Sequence, residues 1–312
     1  MPRKINLNLN DSLIKALKMV NSSTKNTEVL TDEDLKKHRQ TLERAYVVAA
    51  PPITVDVEVT EINGLGAEWV RPDFPHDKKN IILYCHGGGY ISGGLGYARI
   101  LATKLANRAG LEVLAFDYHL APEHPYPTAI NDALGVWDYL MYQGYGASDI
   151  YIAGDSAGGN LALELVLTLR DAGRMLPKAV VLFSPWTDMT NSSDTFLTMG
   201  EKDPILSANY IRLCRNAYLG SSFDAGDPDQ LTDVRISPLY ADFTGFPPTL
   251  IQVGSEELLL DDSRSLRKKM AKDGVNVSLH KYNDMWHVFQ QMPLPKAGEA
   301  MAEAGEFIRS FL

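Results

Sequence analysis

The sequence predicts an α/β fold with a mostly parallel central sheet of about eight strands flanked by helices. Short apolar runs typical of buried strands alternate with segments of helical periodicity over most of the chain, which is the pattern of a parallel sheet with helices on both faces. Two candidate helices precede the first strand. Between Trp186 and Phe246 a polar stretch punctuated by Asp, Pro and Gly interrupts the alternation and indicates an insertion.

Periodicity and turn residues predict the individual elements. Apolar residues recur at helical spacing from Asp11 to Val20, and a second helix is predicted to begin near Thr31, where Asp34 is placed to complete a capping box. Strands are predicted at 53–59, 67–70, 81–85, 112–116, 150–153, 179–183, 249–253 and 276–282. Helices are predicted at 97–109, 128–142, 157–169, 209–218, 262–272 and 297–311, of which 209–218 is the one helix expected inside the insertion.

Composition narrows the classes of function. The 312 residues carry a formal net charge of -9 and no extended Lys and Arg run, so nucleic acid is not an expected partner. The two cysteines, Cys85 and Cys214, lack metal-ligand spacing, which favours neither a disulfide framework nor a metal site and fits a cytoplasmic protein. Neither a signal-peptide apolar core nor a membrane-spanning apolar run is predicted.

Ser156 is the candidate nucleophile. It lies in Gly154-Asp155-Ser156-Ala157-Gly158, directly after one predicted strand and directly before a predicted helix. This is the context of a nucleophile elbow, a sharp turn that exposes a serine hydroxyl. Glycine two residues to either side lets the turn form without a clash of Cβ atoms.

A glycine run follows the buried strand at 81–85. His86-Gly87-Gly88-Gly89 would bring backbone N–H groups to the oxyanion that forms during acyl transfer. We expect Gly87 and Gly88 to donate two of these hydrogens and Ala157 the third. The run lacks the spacing of a glycine-rich phosphate loop.

His287 is the candidate base, because it follows the last predicted strand and lies after the nucleophile in the chain. The acid is less determined, since Glu256, Glu257, Asp261 and Asp262 all follow the strand at 249–253. Asp262 is predicted to be a helix N-cap and Asp261 its first-turn neighbour, which leaves the two glutamates as the better candidates to orient the imidazole.

The glycine run and the elbow together resemble the hormone-sensitive lipase family of bacterial esterases. The segment Asp117-Tyr118-His119-Leu120-Ala121-Pro122-Glu123-His124-Pro125 is similar to the DYRLAPEHP segment of that family, with His119 in place of Arg. The segments at 183–188 and 203–205 resemble further parts of it. Aligning the family's DPLRD-like stretch puts Glu257 at the position of the acid, ahead of Glu256 and then Asp261.

The resemblance implies an α/β-hydrolase fold with a helical cap formed by residues 1–50 and 187–230, over a catalytic domain of residues 51–186 and 231–312. It implies a carboxylesterase that hydrolyses short-chain esters through Ser156, His287 and Glu257, without metal or organic cofactor. Tyr90, Trp186 and Trp286 are expected to line the substrate pocket. The resemblance is also compatible with a homodimer, because members of the family often form one.

Two other functions fit the same motifs. An amidase or deacetylase would use the same three side chains, because protonation of the leaving group by His287 would serve both reactions. A small-ligand-binding protein on the same scaffold would not need a catalytic histidine. The presence of His287 therefore argues against this function.

Overall fold

The centre of the molecule is one sheet of eight strands. The computed structural model describes residues 31–49 and 54–312. The strands are β1 Val55–Ile62, β2 Leu65–Pro72, β3 Asp77–Cys85, β4 Leu111–Phe116, β5 Ile150–Asp155, β6 Ala179–Phe183, β7 Thr249–Gly254 and β8 Val277–Tyr282. Their order is β1-β2-β4-β3-β5-β6-β7-β8. Only the β1–β2 and β2–β4 pairs are antiparallel, so the predicted mostly parallel sheet is confirmed.

The helices that periodicity predicts within the described residues are all present. They are α1 Asp32–Ala49, α2 Leu95–Ala109, α3 Thr128–Tyr142, α4 Ala157–Asp171, α6 Ala208–Leu219, α8 Leu260–Lys272 and α9 Pro295–Arg309. The capping box of α1 is confirmed, because Thr31 Oγ1 accepts from the Asp34 N–H at 3.1 Å and Asp34 Oδ2 accepts from the Thr31 N–H at 3.3 Å. The helix predicted from Asp11 lies outside the described residues.

The insertion contains more helix than the sequence predicts. Beside α6 it holds α5 Asp194–Thr198 and α7 Pro228–Leu231. Each is about one turn long and offers no periodicity to detect. Caps define them instead, since the Ser193 hydroxyl accepts from the Phe196 N–H and Asp227 accepts from the Asp229 N–H.

The sheet is buried on both faces in its middle. Every residue of β4, β5, β6 and β7 is buried, and apolar clusters pack on each side. Register brings the carboxyl ends of β3, β5, β6 and β7 to one edge, where Cys85 pairs with Gly154, Asp155 with Phe183 and Phe183 with Gln252. The loops that leave this edge carry the candidate site residues, as expected for an open parallel sheet.

Helix α1 packs outside the sheet and touches the insertion. Its Leu35 is buried in the core, and His38 Nε2 lies 3.1 Å from the Tyr210 hydroxyl of α6. Burial, with a smaller contribution from Arg39, lowers the pKa of His38 to about 4. No helix of the described residues combines the length and the apolar character needed to cross a membrane.

Replacing His38 with glutamine should weaken the dependence of stability on pH. A histidine whose pKa is lowered on folding binds a proton more readily in the unfolded chain, so stability falls as the pH drops from 6.5 towards 4. In that window, each fall of one pH unit should lower the free energy of unfolding of the wild type by up to about 1.4 kcal/mol more than that of His38→Gln. This is the effect of one bound proton. Urea unfolding at a series of pH values measures the difference, and parallel curves would contradict it.

Candidate active site

The turn around Ser156 is a strained junction between β5 and α4. Ser156 itself has φ 55° and ψ -120°, a conformation that non-glycine residues rarely adopt. The Ser156 N–H donates to the Phe183 carbonyl at 2.9 Å, and the Ser156 carbonyl accepts from the Trp186 N–H at 3.0 Å. The end of β6 therefore holds the serine in this conformation, as a nucleophile elbow requires.

The glycines beside the elbow are required by close contacts rather than by positive φ. A Cβ atom on Gly158 would collide with the carbonyl oxygens of Cys85 and His86, and one on Gly154 would collide with the Gly158 carbonyl. The predicted reason for these glycines, avoidance of a Cβ clash, is confirmed.

Gly158→Ala should therefore destabilise the fold by at least about 3 kcal/mol, because backbone atoms of β3 cannot move aside. The matched control is Gly298→Ala in α9, where the added Cβ meets open space. The free energy of unfolding of that variant should rise by about 0.5–1 kcal/mol, since alanine stabilises a helix interior more than glycine does. Chemical denaturation of both variants tests this, and equal stabilities would contradict it.

His287 lies on the loop after β8 and faces the serine. Its Nε2 is 2.9 Å from Ser156 Oγ, and both side chains are almost completely buried. Burial lowers the pKa of His287 to about 3. The imidazole is consequently neutral at neutral pH, the form that accepts a proton.

Of the four carboxylates after β7, Glu257 is the one beside His287. Its Oε2 lies 4.0 Å from His287 Nδ1, and both Nδ1 and Glu257 Oε1 are buried without a hydrogen-bond partner among the described residues. Oε2 already accepts from the Ser184 hydroxyl and the Gly254 N–H, so a hydrogen bond from Nδ1 requires a shift of the carboxylate or of the ring. Such contacts are often long before substrate binds.

The other three carboxylates point elsewhere. Glu256 is partly exposed and lies 3.6 Å from Lys202 Nζ. Asp261 pairs with Arg264 at 2.9 Å. The predicted N-cap role of Asp262 is wrong, because α8 begins at Leu260 and the Asp262 carboxylate is buried. It accepts instead from the N–H groups of Thr187 and Asp188 at 2.8 and 3.1 Å.

Ser184 connects the acid to the histidine loop. Its hydroxyl donates to Glu257 Oε2 at 2.8 Å and accepts from the Val288 N–H at 3.2 Å. Burial raises the pKa of Glu257 well above its usual value, and the charge of Asp203 raises it further, while Ser184 and the Gly254 N–H lower it. Sequence reasoning assigned no role to Ser184, although it noted the segment at 183–188.

The glycine run forms a tight turn that we call the oxyanion loop, residues 86–92. No hydrogen bond among the described residues uses the N–H of Gly88, Gly89 or Ala157. The Gly87 N–H was predicted to donate to the oxyanion, but it donates to Asp155 Oδ1 at 2.9 Å. Gly87 thus ties the loop to the elbow, and its hydrogen is not directed at the site.

Asp155 is the anchor of that tie, and sequence reasoning gave it no role. It is fully buried and also accepts from the hydroxyls of Tyr84 and Tyr97. Burial raises the pKa of Asp155 to about 6, against the opposing effect of these hydrogen bonds. The residue before the nucleophile therefore holds the oxyanion loop and the elbow together.

Two of the aromatic residues expected to line the substrate pocket are buried in this structure. Tyr90 is buried, stacks on Tyr218 with ring centroids 3.6 Å apart and donates to Asn160 Oδ1 at 2.8 Å. Trp186 is also buried, and its indole N–H points to the Asp188 carbonyl and Asn191. Both side chains are buried and support the loops, and that they line the substrate pocket stays a prediction.

Trp286, next to the candidate base, is 5% exposed, and its buried indole N–H has no hydrogen-bond partner in the part of the chain that the structure describes. It packs in a small apolar cluster with Met285, Phe289 and Met292. A cavity of about 410 Å³ lies elsewhere, between α3, α4 and residues 234–242, and neither Ser156 nor His287 lines it.

The mostly parallel sheet presents a serine on an elbow, a histidine within hydrogen-bond distance of it, and free N–H groups beside them. This combination defines the class of the α/β hydrolases. Residues 82–291 match the family model described as the alpha/beta hydrolase fold. The chain is 38% identical to an esterase of Acinetobacter venetianus over 82% of this chain and 83% of that protein. It is 37% identical to an acetyl-hydrolase of Streptomyces hygroscopicus over 81% and 82%.

Among solved structures, an esterase from the bacterial hormone-sensitive lipase family superposes with a TM-score of 0.87 at 33% identity, covering 99% of both chains. A mutant of the esterase E40 superposes with a TM-score of 0.87 at 35% identity, over 96% and 97%. The chain belongs to the α/β-hydrolase family and, within it, to the hormone-sensitive lipase group of esterases. It is a carboxylic ester hydrolase by class.

Proposed function

We propose that this protein hydrolyses short-chain acyl esters through an acyl-enzyme intermediate on Ser156, with His287 as the base and Glu257 as the acid. The observation that carries the proposal is the 2.9 Å contact between Ser156 Oγ and His287 Nε2 at a strained elbow. Unused N–H groups beside that contact supply the second requirement of acyl transfer, a place for the oxyanion.

In the acylation step His287 Nε2 takes the proton of Ser156 while Oγ bonds to the ester carbonyl carbon. The carbonyl π electrons move to oxygen, and the N–H groups of Gly88 and Ala157 stabilise that oxyanion. Gly87, whose N–H is used by Asp155, acts by fixing the loop. The tetrahedral intermediate then collapses, the bond to the alkoxy oxygen breaks, and the alcohol leaves with the proton from His287.

Deacylation repeats the sequence with water. His287 takes a proton from water, the resulting hydroxide bonds to the acyl carbon, and the bond to Oγ breaks as His287 returns its proton to Ser156. Imidazolium forms twice in each cycle within a buried site. Glu257, whose Oε2 lies 4.0 Å from Nδ1, stabilises this cation and fixes the ring.

The preference for short acyl chains follows, in this proposal, from a cap made of residues 1–50 and 187–230. Contacts between α1 and α6, such as His38 with Tyr210, support a joint cap. Ser156 is only 6% exposed, so the nucleophile is largely covered. The acetyl-hydrolase among the relatives points the same way.

Hydrolysis of p-nitrophenyl acetate, butyrate, octanoate and palmitate tests the proposal. Turnover should be greatest for acetate and butyrate and should fall steeply at octanoate. Comparison with p-nitroacetanilide separates ester from amide hydrolysis. Absence of turnover on all esters, or faster turnover of the anilide, would overturn the proposal.

A further inference from the structure

One side chain of α1 reaches the oxyanion loop from outside the catalytic domain. The Arg39 guanidinium donates from Nε to the Ile91 carbonyl at 2.7 Å and from Nη2 to the Ala121 carbonyl at 3.1 Å. It also forms a forked pair with Glu123, with both N–O distances at 2.8 Å. Four hydrogen bonds therefore converge on one partly buried guanidinium.

The loop that Arg39 contacts has an unusual backbone. Gly88, Gly89 and Tyr90 have successive φ values of 117°, 64° and 63°. The third of these belongs to a residue with a side chain, for which positive φ is strained and persists only where surrounding contacts enforce it. The turn closes on the Gly88 carbonyl, which accepts from the Ile91 and Ser92 N–H groups at 3.2 and 3.0 Å.

Arg39 fastens both sides of this strained turn. The Tyr90 carbonyl accepts from the Ala121 N–H at 2.9 Å, and the carbonyl of that same Ala121 accepts from Arg39. The carbonyl of Ile91, one residue after Tyr90, accepts from Arg39 directly. The guanidinium thus bridges the loop and the segment that supports it, and Gly88 lies within the closed turn.

Glu123 holds the guanidinium in the plane needed for these bonds. A forked carboxylate pair fixes the orientation of an arginine side chain in a way that a lysine ammonium cannot reproduce. Glu123 is about half exposed, so its charge attraction alone contributes little to stability. The two carbonyl contacts carry the connection to the site.

We propose that Arg39 is a positioning residue that fixes the oxyanion loop in its catalytic conformation, so that the N–H of Gly88 is correctly placed only when α1 is docked. This inference rests on the proposed function, because it assigns a role in the same reaction. The connection makes transition-state stabilisation depend on a helix that contributes no group to the chemistry.

The test compares Arg39→Ala and Arg39→Lys with the wild type on p-nitrophenyl acetate, with rates expressed per burst-titrated active site. A displaced oxyanion donor lowers kcat, since the oxyanion exists only after attack, and leaves ground-state binding intact. We expect Arg39→Ala to lower kcat by about ten- to a hundredfold with KM within about twofold. The kcat of Arg39→Lys should lie between those of Arg39→Ala and the wild type. Added guanidinium ion should restore part of the activity of Arg39→Ala.

Two controls isolate the carbonyl contacts. Glu123→Gln removes the charge but keeps one oxygen that accepts from the guanidinium and orients it, so both carbonyl contacts stay available and kcat should fall by less than about threefold. Arg235→Ala removes another forked pair, that with Asp233, and within the described part of the chain Arg235 makes no hydrogen bond to the oxyanion loop, so kcat should not change. Thermal unfolding verifies that each variant is folded.

The outcomes separate this inference from the proposed function. If the wild type has no esterase activity, or Ser156→Ala keeps it, the proposed function fails. If the wild type is active and Arg39→Ala keeps more than half of its kcat per active site, the positioning role is overturned. A rise in KM with unchanged kcat, or a loss of titratable sites with normal kcat for those remaining, would also overturn it.

Discussion

Ser156→Ala should lower kcat for p-nitrophenyl acetate by roughly a millionfold, the scale of nucleophile loss in other serine hydrolases. The reason is that His287 Nε2, 2.9 Å from Oγ, then has no hydroxyl to activate, and no acyl-enzyme forms. Steady-state hydrolysis measures the loss. Labelling by a fluorophosphonate, which bonds to an activated serine oxygen, should disappear as well.

The matched control for this variant is Ser310→Ala, because Ser310 is exposed near the end of α9 and its hydroxyl donates to the Phe307 carbonyl, away from the site. That variant should keep wild-type turnover and labelling. Ser156→Ala should also remain folded, since removal of one hydroxyl leaves the backbone contacts to Phe183 and Trp186 intact. Residual hydrolysis above one per cent of the wild type would contradict the assignment of the nucleophile.

Glu257→Gln should lower kcat by up to about ten-thousandfold, the effect of the equivalent acid-to-amide change in the serine protease template. The amide cannot stabilise an imidazolium by charge, and its NH₂ group favours the wrong tautomer of His287. Stability should not fall, because Gln nearly matches Glu in shape and avoids the cost of a buried charge. Turnover and urea unfolding of the same preparation test both statements.

Glu256→Gln and Asp261→Asn are the controls, because their carboxylates face Lys202 and Arg264 rather than His287. Both variants should retain turnover within about threefold of the wild type, as expected for exposed ion pairs. A large loss in either variant, together with near-normal turnover in Glu257→Gln, would transfer the role of the acid to that residue.

The fold was largely predictable because its signals are local. Buried parallel strands such as 179–183 are continuous apolar runs, and helices such as 128–142 repeat their apolar residues every three or four positions. Elements without such repetition escaped prediction. α5 and α7 are about one turn long and depend on single capping side chains and on tertiary packing.

The candidate site was predictable only in part. Ser156 and His287 follow from motif, strand context and chain order, and the structure brings their side chains within hydrogen-bond distance. Residue patterns left four carboxylates open, and resemblance to a family favoured Glu257. The structure then separated them by partner, because Asp262 accepts hydrogen bonds from backbone N–H groups 74 and 75 residues away along the chain.

The sequence by itself determined the alternation of strands and helices, the glycine run, the elbow and the order of nucleophile and base, since each of these is written in neighbouring residues. Only the tertiary structure decided that Gly87 donates to Asp155, that Tyr90 and Trp186 belong to the core, and that Arg39 reaches the oxyanion loop. Those contacts join residues 52 to 84 positions apart or depend on burial from all sides. No local pattern encodes such contacts, because the chain must fold before the groups that form them meet.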